Sequence, residues 1–94
     1  MQFEWDEKKA KSNLLKHGVS FEEARSVFAS RLSADFPDPA HSDYEERWIK
    51  IGHSRKNNLL VVCHVEREDV IRIISVRKAT KRETQKYEER KARV

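Results

Sequence analysis

Arginine, lysine and glutamate recur in the second half of the chain at spacings that strands would sort onto faces. Arg47, Trp48, Lys50 and His53 fall in one run, Glu66 and Arg67 close a second, and Arg72, Arg77 and Lys78 belong to a third. Alternate residues of a strand share a face. Arg47 therefore joins His53, Trp48 joins Lys50, and Arg72 lies with Ile74, Val76 and Lys78 opposite Arg77. Cutting RNA without a metal ion needs these residue types: a base for the 2′-hydroxyl proton, a donor for the leaving oxygen and cations for the phosphorane charge. A histidine or a glutamate, Glu46 or Glu66, can act as the base, Arg47, Arg67, Arg72 and Arg77 as the clamp, and Lys50 and Lys78 as further RNA contacts. The same side chains also read as exposed sheet positions paired in surface salt bridges, and spacing alone favours that plainer reading. Trp48 divides in the same way, between a platform for a base and an ordinary core aromatic.

Other chemistries find less support. His17, His41, His53 and His64 show no zinc-ligand spacing. The carboxylates at 35, 38, 43, 45 and 46 surround Pro37 and Pro39 and read as a solvated loop before they read as a cation site. With only Gly18 and Gly52, a glycine-rich phosphate loop cannot be built. Cys63 sits inside an apolar run and reads as core. No metal and no cofactor is expected.

The elements that must position these residues are legible from caps and periodicity. Asp6 caps a first helix, with Ala10, Leu14 and His17 on one face and Gly18 as its left-handed stop. Ser20 and Glu23 form a capping box for a second helix, whose stripe of Phe21, Ala24, Val27 and Phe28 ends near Ala29. Phe3-Glu4-Trp5 is a short extended lead-in. Leu32 and Phe36 suggest a short strand, with Pro37 and Pro39 forbidding regular pairing beyond it. Strands over 46–53, 59–66 and 70–78, joined by short polar turns, make an antiparallel meander. A second capping box, Thr80 with Glu83, opens a helix that runs to about Arg93. That helix holds only Tyr87, Ala92 and Val94 as apolar residues, too few for a core-facing stripe, so either Tyr87 anchors it weakly with the rest solvated or another macromolecule covers it.

The expected architecture is thus one α+β domain over residues 1–94: two N-terminal helices, a sheet of about four antiparallel strands, and a basic C-terminal helix. At 94 residues with 37% hydrophobic and 38% charged side chains, the core must be small. No apolar stretch suits a membrane span or a signal peptide, and a lone cysteine suits a reducing cytoplasm. Net charge is +4, unevenly spread. Residues 1–46 carry 6 cations and 10 anions, residues 47–76 carry 6 and 3, and residues 77–94 carry 8 and 3. Such a gradient points to a cationic surface facing a polyanion, nucleic acid first, while a solvated mixed-charge helix explains the tail as simply.

Several short motifs agree with one family. Phe3-Glu4-Trp5-Asp6, Asn13-Leu14-Leu15-Lys16-His17-Gly18-Val19-Ser20-Phe21-Glu22-Glu23-Ala24, Val27-Phe28, Glu45-Glu46-Arg47, Ile51-Gly52-His53-Ser54, Leu59-Leu60-Val61-Val62, Glu66-Arg67 and Ile71-Arg72-Ile73-Ile74-Ser75-Val76-Arg77-Lys78-Ala79-Thr80, with Glu83 and Tyr87, resemble the BrnT toxins. The resemblance implies a RelE-like fold and an endoribonuclease of a type II toxin–antitoxin system that cleaves messenger RNA. It also implies a partner, a BrnA-like ribbon–helix–helix antitoxin that forms a hetero-oligomer with the toxin and alone contacts operator DNA. On that reading the C-terminal helix, through Lys86, Tyr87, Arg90 and Lys91, faces the antitoxin. A non-catalytic basic module that only binds nucleic acid or protein is the contrasting expectation, and turnover separates the two.

Overall fold

A computed structural model describes residues 1–38 and 45–92. In chain order the elements are β1 (Gln2–Glu4), α1 (Glu7–His17), α2 (Phe21–Ser26) with a 3-10 turn (Val27–Ala29), β2 (Ala34–Pro37), β3 (Arg47–His53), β4 (Leu59–Arg67), β5 (Val70–Lys78) and α3 (Lys81–Ala92). The strands form one sheet in the order β1-β5-β4-β3-β2. β1 runs parallel to β5, and the other neighbours are antiparallel. The sheet therefore has five strands and is mixed, where the sequence suggested about four in a pure meander. The extended lead-in is the missing strand. Its three residues pair with Val70, Ile71 and Arg72, a partnership that no local pattern encodes. Pro37, expected to end pairing, lies in β2 opposite Trp48 at the outer edge of the sheet, where a missing N–H costs nothing. Pro39, His41, Asp43 and Arg93 lie outside the described residues.

The caps behave as their chemistry requires. The Asp6 carboxylate accepts from the Lys8 and Lys9 amides, and Gly18 at φ 70° ends α1. Ser20 accepts from the Glu23 amide. The Glu23 carboxylate does not return to the cap; it takes hydrogen bonds from Ser54 Oγ at 2.6 Å and Asn58 Nδ2 at 2.9 Å, tying α2 to the β3–β4 turn. Burial works against its charge, but those two bonds hold its carboxyl below the usual range.

α1 and α2 pack on one face of the sheet, around Val19, Phe21, Ala24, Val27, Leu60, Val62, Ile73 and Val76, with Phe3, Trp5, Ala10 and Phe28 at the margin. α1 does not present the face its leucines suggested. Leu14 is 49% exposed, and the buried residue is Asn13. The Asn13 side chain donates to the carbonyls of Val76 and Val19 and accepts from the Val76 amide. It thereby satisfies the edge of β5 beyond the end of β1, a buried backbone that would otherwise lack partners.

A bulge in β5 decides where the arginines point. Cys63 faces Ser75 but His64 faces Ile73, so Ile74 is an extra residue on β5. The insertion reverses the phase of alternation. Arg72 pairs with Val65 and Arg77 with Val61, two positions of like parity on β4. The expectation that Arg72 and Arg77 occupy opposite faces is therefore corrected. Both lie on the face away from α1 and α2, and Val76 and Lys78 lie on the other.

Candidate active site

On the face away from α1 and α2, strand register lines up Arg47 of β3, Val65 of β4, Arg72 of β5 and Glu4 of β1 in one row. The next row holds Phe36, Ile49, Cys63 and Ser75, and the one after it Ala34, Ile51, Val61 and Arg77. Arg47 and Arg72 stand two strands apart, about 10 Å between backbones, within reach of one phosphate for two long side chains. Arg72 Nη1 donates to Glu4 Oε2 at 2.8 Å, and both side chains keep solvent access. Arg47 differs: its Nε is buried and has no hydrogen-bond partner among the described residues. A buried donor left unused is costly. Cys63, in the next row, has Sγ 3.9 Å from Asp38 Oδ2. Burial first, and the Asp38 charge next, push its thiol up, so it stays protonated and is not a nucleophile.

Arg77 is not a free clamp. Its guanidinium forks onto Glu83 at 2.7 and 2.9 Å, and Glu83 completes the capping box by accepting from the Thr80 amide at 2.9 Å while Thr80 Oγ1 takes the Glu83 amide. Arg77, and then the Thr80 amide, pull the Glu83 carboxyl down to about 2 despite its partial burial. Arg77 therefore acts as a strut between β5 and α3, with its side chain still partly open to solvent. Arg67 pairs with Glu45 at the rim.

α3 is also better anchored than its composition suggested. Tyr87 is 5% exposed, donates its hydroxyl to the Leu32 carbonyl at 3.0 Å and meets His53 edge-on. The Arg90 guanidinium lies over the Phe36 ring. Tyr87 is a core residue of this chain, so the side chain expected to face an antitoxin is largely taken up in anchoring α3. Lys86, Arg90 and Lys91 remain exposed.

Lys50, Glu66 and Lys78 belong to the opposite face. Lys50 Nζ is buried against Asp35 at 3.1 Å and lies over Phe28, so it is an internal ion pair more than an RNA contact. Lys78 is exposed, opposite Leu60. Glu66 stands opposite Ile71, away from the arginine row, whereas the exposed Glu46 immediately precedes Arg47. Glu4 was missed because β1 was not read as a strand, and its only sequence signal is the Phe3-Glu4-Trp5 lead-in. Among the described residues no three His, Cys, Asp or Glu side chains gather in a metal-binding group.

His64 shares the face of Lys50 and Glu66. It is 1% exposed, and neither ring nitrogen has a hydrogen-bond partner among the described residues. Asp35 is 3.8 Å from Nε2 and Glu66 4.0 Å from Nδ1, both beyond hydrogen-bond reach. Burial holds its pKa below the ordinary value, against the pull of Glu66 and Asp35, with Lys50 adding to the lowering. The ring is therefore neutral when folded, and the unfolded chain binds the proton more readily. Stability is full above about pH 6.5 and declines as pH falls below it. A His64→Phe variant followed by denaturant titration is expected to flatten that slope between pH 7 and 5; an unchanged slope would assign it to other groups.

The fold and the arginine-rich sheet face are those of a small basic protein of nucleic-acid chemistry. A family model, that of BrnT, the ribonuclease toxin of type II toxin–antitoxin systems, matches residues 5–83. The chain belongs to this family. Its structure is similar to the 1.1 Å crystal structure of the ribonuclease toxin BrnT from Brucella abortus, with a TM-score of 0.67 and 25% sequence identity, covering 86% of this chain and 99% of that one. No curated protein gives a significant sequence match. Among the described residues no helix is long and apolar enough to cross a membrane.

Proposed function

We propose that this toxin cleaves messenger RNA without a metal ion, in the Arg47–Arg72–Glu4 row. The observation that carries the reading is the row itself: two guanidiniums and a carboxylate on one sheet face, one guanidinium with a buried donor that has no partner among the described residues. Glu4, held by Arg72, accepts the 2′-hydroxyl proton as the 2′-oxygen attacks the adjacent phosphorus. The bond from phosphorus to the 5′-oxygen breaks, and the departing oxygen takes a proton from solvent water. Arg47 and Arg72 stabilise the charge that builds on the non-bridging oxygens, where planar, permanently charged donors act best. Glu46 adjoins Arg47 in the sequence, and Glu66, on the other face, takes no part. A BrnA-like antitoxin is the proposed partner, with operator contact made by that partner.

The test is incubation of the toxin, freed of any antitoxin, with RNA in excess EDTA. Cleavage is expected to persist and to leave 2′,3′-cyclic phosphate or 3′-phosphate ends. Activity that vanishes in EDTA and returns with magnesium or manganese would overturn the mechanism. Binding without turnover would leave only a basic binding module.

A further inference from the structure

α1 carries charge that its own stability does not explain. Lys8 and Lys9 stand in its first turn, beside Glu7 and the Asp6 cap, where the positive end of a helix dipole disfavours cations. Lys16 and His17 in the last turn satisfy the dipole, but Lys9 belongs with them on another ground. Lys9 and Lys16 are seven residues apart, about 10 Å along the axis, and project to the same side.

That side faces a groove. β1 covers β5 only as far as Arg72, and Asn13 bonds both backbone groups of Val76, so α1 packs beside the edge of β5 where the bulge sits. Between them lies an open groove lined by Lys9, Ser12, Lys16, His17, Ile74 and Ser75, with Asn13 at its floor. No carboxylate lines it. Of the sheet's cations, Lys50 pairs with Asp35, Arg67 with Glu45, Arg72 with Glu4 and Arg77 with Glu83, while Arg47 and Lys78 form no ion pair among the described residues. Among the described residues Lys9, Lys16 and His17 form no ion pair. Ser75 connects the groove to the proposed cleavage face, since it is exposed beside Cys63 in the row next to Arg72.

We propose that this groove binds the sugar–phosphate backbone of the RNA, flanking the cleavage row around the edge of β5. The proposal rests on the reading of the opposite sheet face as the site of RNA cleavage. Two ammonium groups about 10 Å apart suit neighbouring phosphates of a single strand, and Ser12, Asn13 and Ser75 supply neutral hydrogen-bonding groups. The contact is to backbone, so it adds affinity without base preference.

The test compares the wild-type toxin with a Lys9→Ala/Lys16→Ala variant, both exposed positions, after thermal unfolding shows equal stability. A single-stranded 2′-deoxy-substituted RNA of about twenty nucleotides serves as the uncleavable probe. Each lost phosphate contact lowers the slope of log affinity against log salt by about 0.7 for single strands, so the double variant is expected to lose about 1.4 and to bind about tenfold more weakly near 0.1 M salt. With cleavable RNA of that length KM rises while kcat holds, and cleavage of a dinucleotide is unchanged. Unaltered affinity and slope would overturn the proposal. So would a variant that keeps RNA affinity and loses only affinity for the antitoxin, since the groove would then hold an acidic protein segment. If the wild type binds the probe through Lys9 and Lys16 but cuts no RNA, the groove stands and the cleavage reading falls.

Discussion

Arg47→Ala is expected to slow single-turnover RNA cleavage by about 10²–10³-fold, the loss typical when one preorganised donor to a developing oxyanion is removed, roughly 2.7–4 kcal/mol of barrier. The structure singles out Arg47 because its buried Nε has no partner among the described residues. Its removal therefore relieves an unused donor and is not expected to reduce stability. Arg72→Ala is expected to act in the same direction but to free Glu4 as well, since the two share a 2.8 Å hydrogen bond. Lysine at either position restores charge without the planar fork, so Arg47→Lys recovers only part of the rate. Arg77→Ala is the informative contrast. Its donors are engaged by Glu83, so it is expected to lower the melting temperature and to affect cleavage only through the folded fraction. Rates measured at a temperature where every variant is folded separate these effects. A fully active Arg47→Ala protein, with an inactive but folded Arg77→Ala protein, would move the clamp to β5 and α3.

How far the sequence led to this site depends on whether each signal was local. Asp6 and Gly18 bracket α1 because a cap and a left-handed stop act on the nearest turn. Thr80 and Glu83 start α3 for the same reason, and the limits of β5 follow from its apolar residues and the polar turn before it. The bulge was not legible. Val70-Ile71-Arg72-Ile73-Ile74-Ser75-Val76-Arg77-Lys78 reads as unbroken alternation, and only its register against β4 reveals Ile74 as the extra residue. One inserted residue reverses the face of everything beyond it, which is why the arginines could be read from the sequence while their arrangement on the sheet could not.

Glu4 and Asn13 were hidden by a related cause. Glu4 gains its place from a three-residue parallel strand, too short to announce itself, and its partner Arg72 is distant in sequence. Asn13 is buried because β5 has backbone groups to satisfy beyond the end of β1, not because of anything in the α1 pattern. α3 was underrated for want of a stripe. One tyrosine with a hydrogen-bonded hydroxyl and one arginine over a phenylalanine ring anchor it instead.

That anchorage changes what α3 contributes to an antitoxin complex. Tyr87→Ala is expected to cost about 3 kcal/mol by emptying a core position, a fall of roughly 12–24 °C in melting temperature for a chain of this size. The Arg77–Glu83 strut adds a pH signature. Glu83 titrates lower in the folded state, at about 2, so its contribution is complete above its ordinary range near pH 4.5 and is lost as pH falls from there toward 2. Arg77 is partly exposed, and solvent screening keeps that contribution to about 1–2 kcal/mol. Acid unfolding of Glu83→Gln is accordingly expected to begin from lower stability and to show a shallower decline over that interval. Truncation before Tyr87 then fails as a test of partner binding, because it removes core. The exposed Lys86 and Lys91 are the appropriate probes: Lys86→Glu/Lys91→Glu is expected to leave the melting temperature within a few degrees and to weaken binding of a BrnA-like antitoxin, more at low salt than at high. Unchanged affinity in that variant, with folding intact, would place the antitoxin elsewhere and leave α3 as a structural helix whose charges keep it solvated.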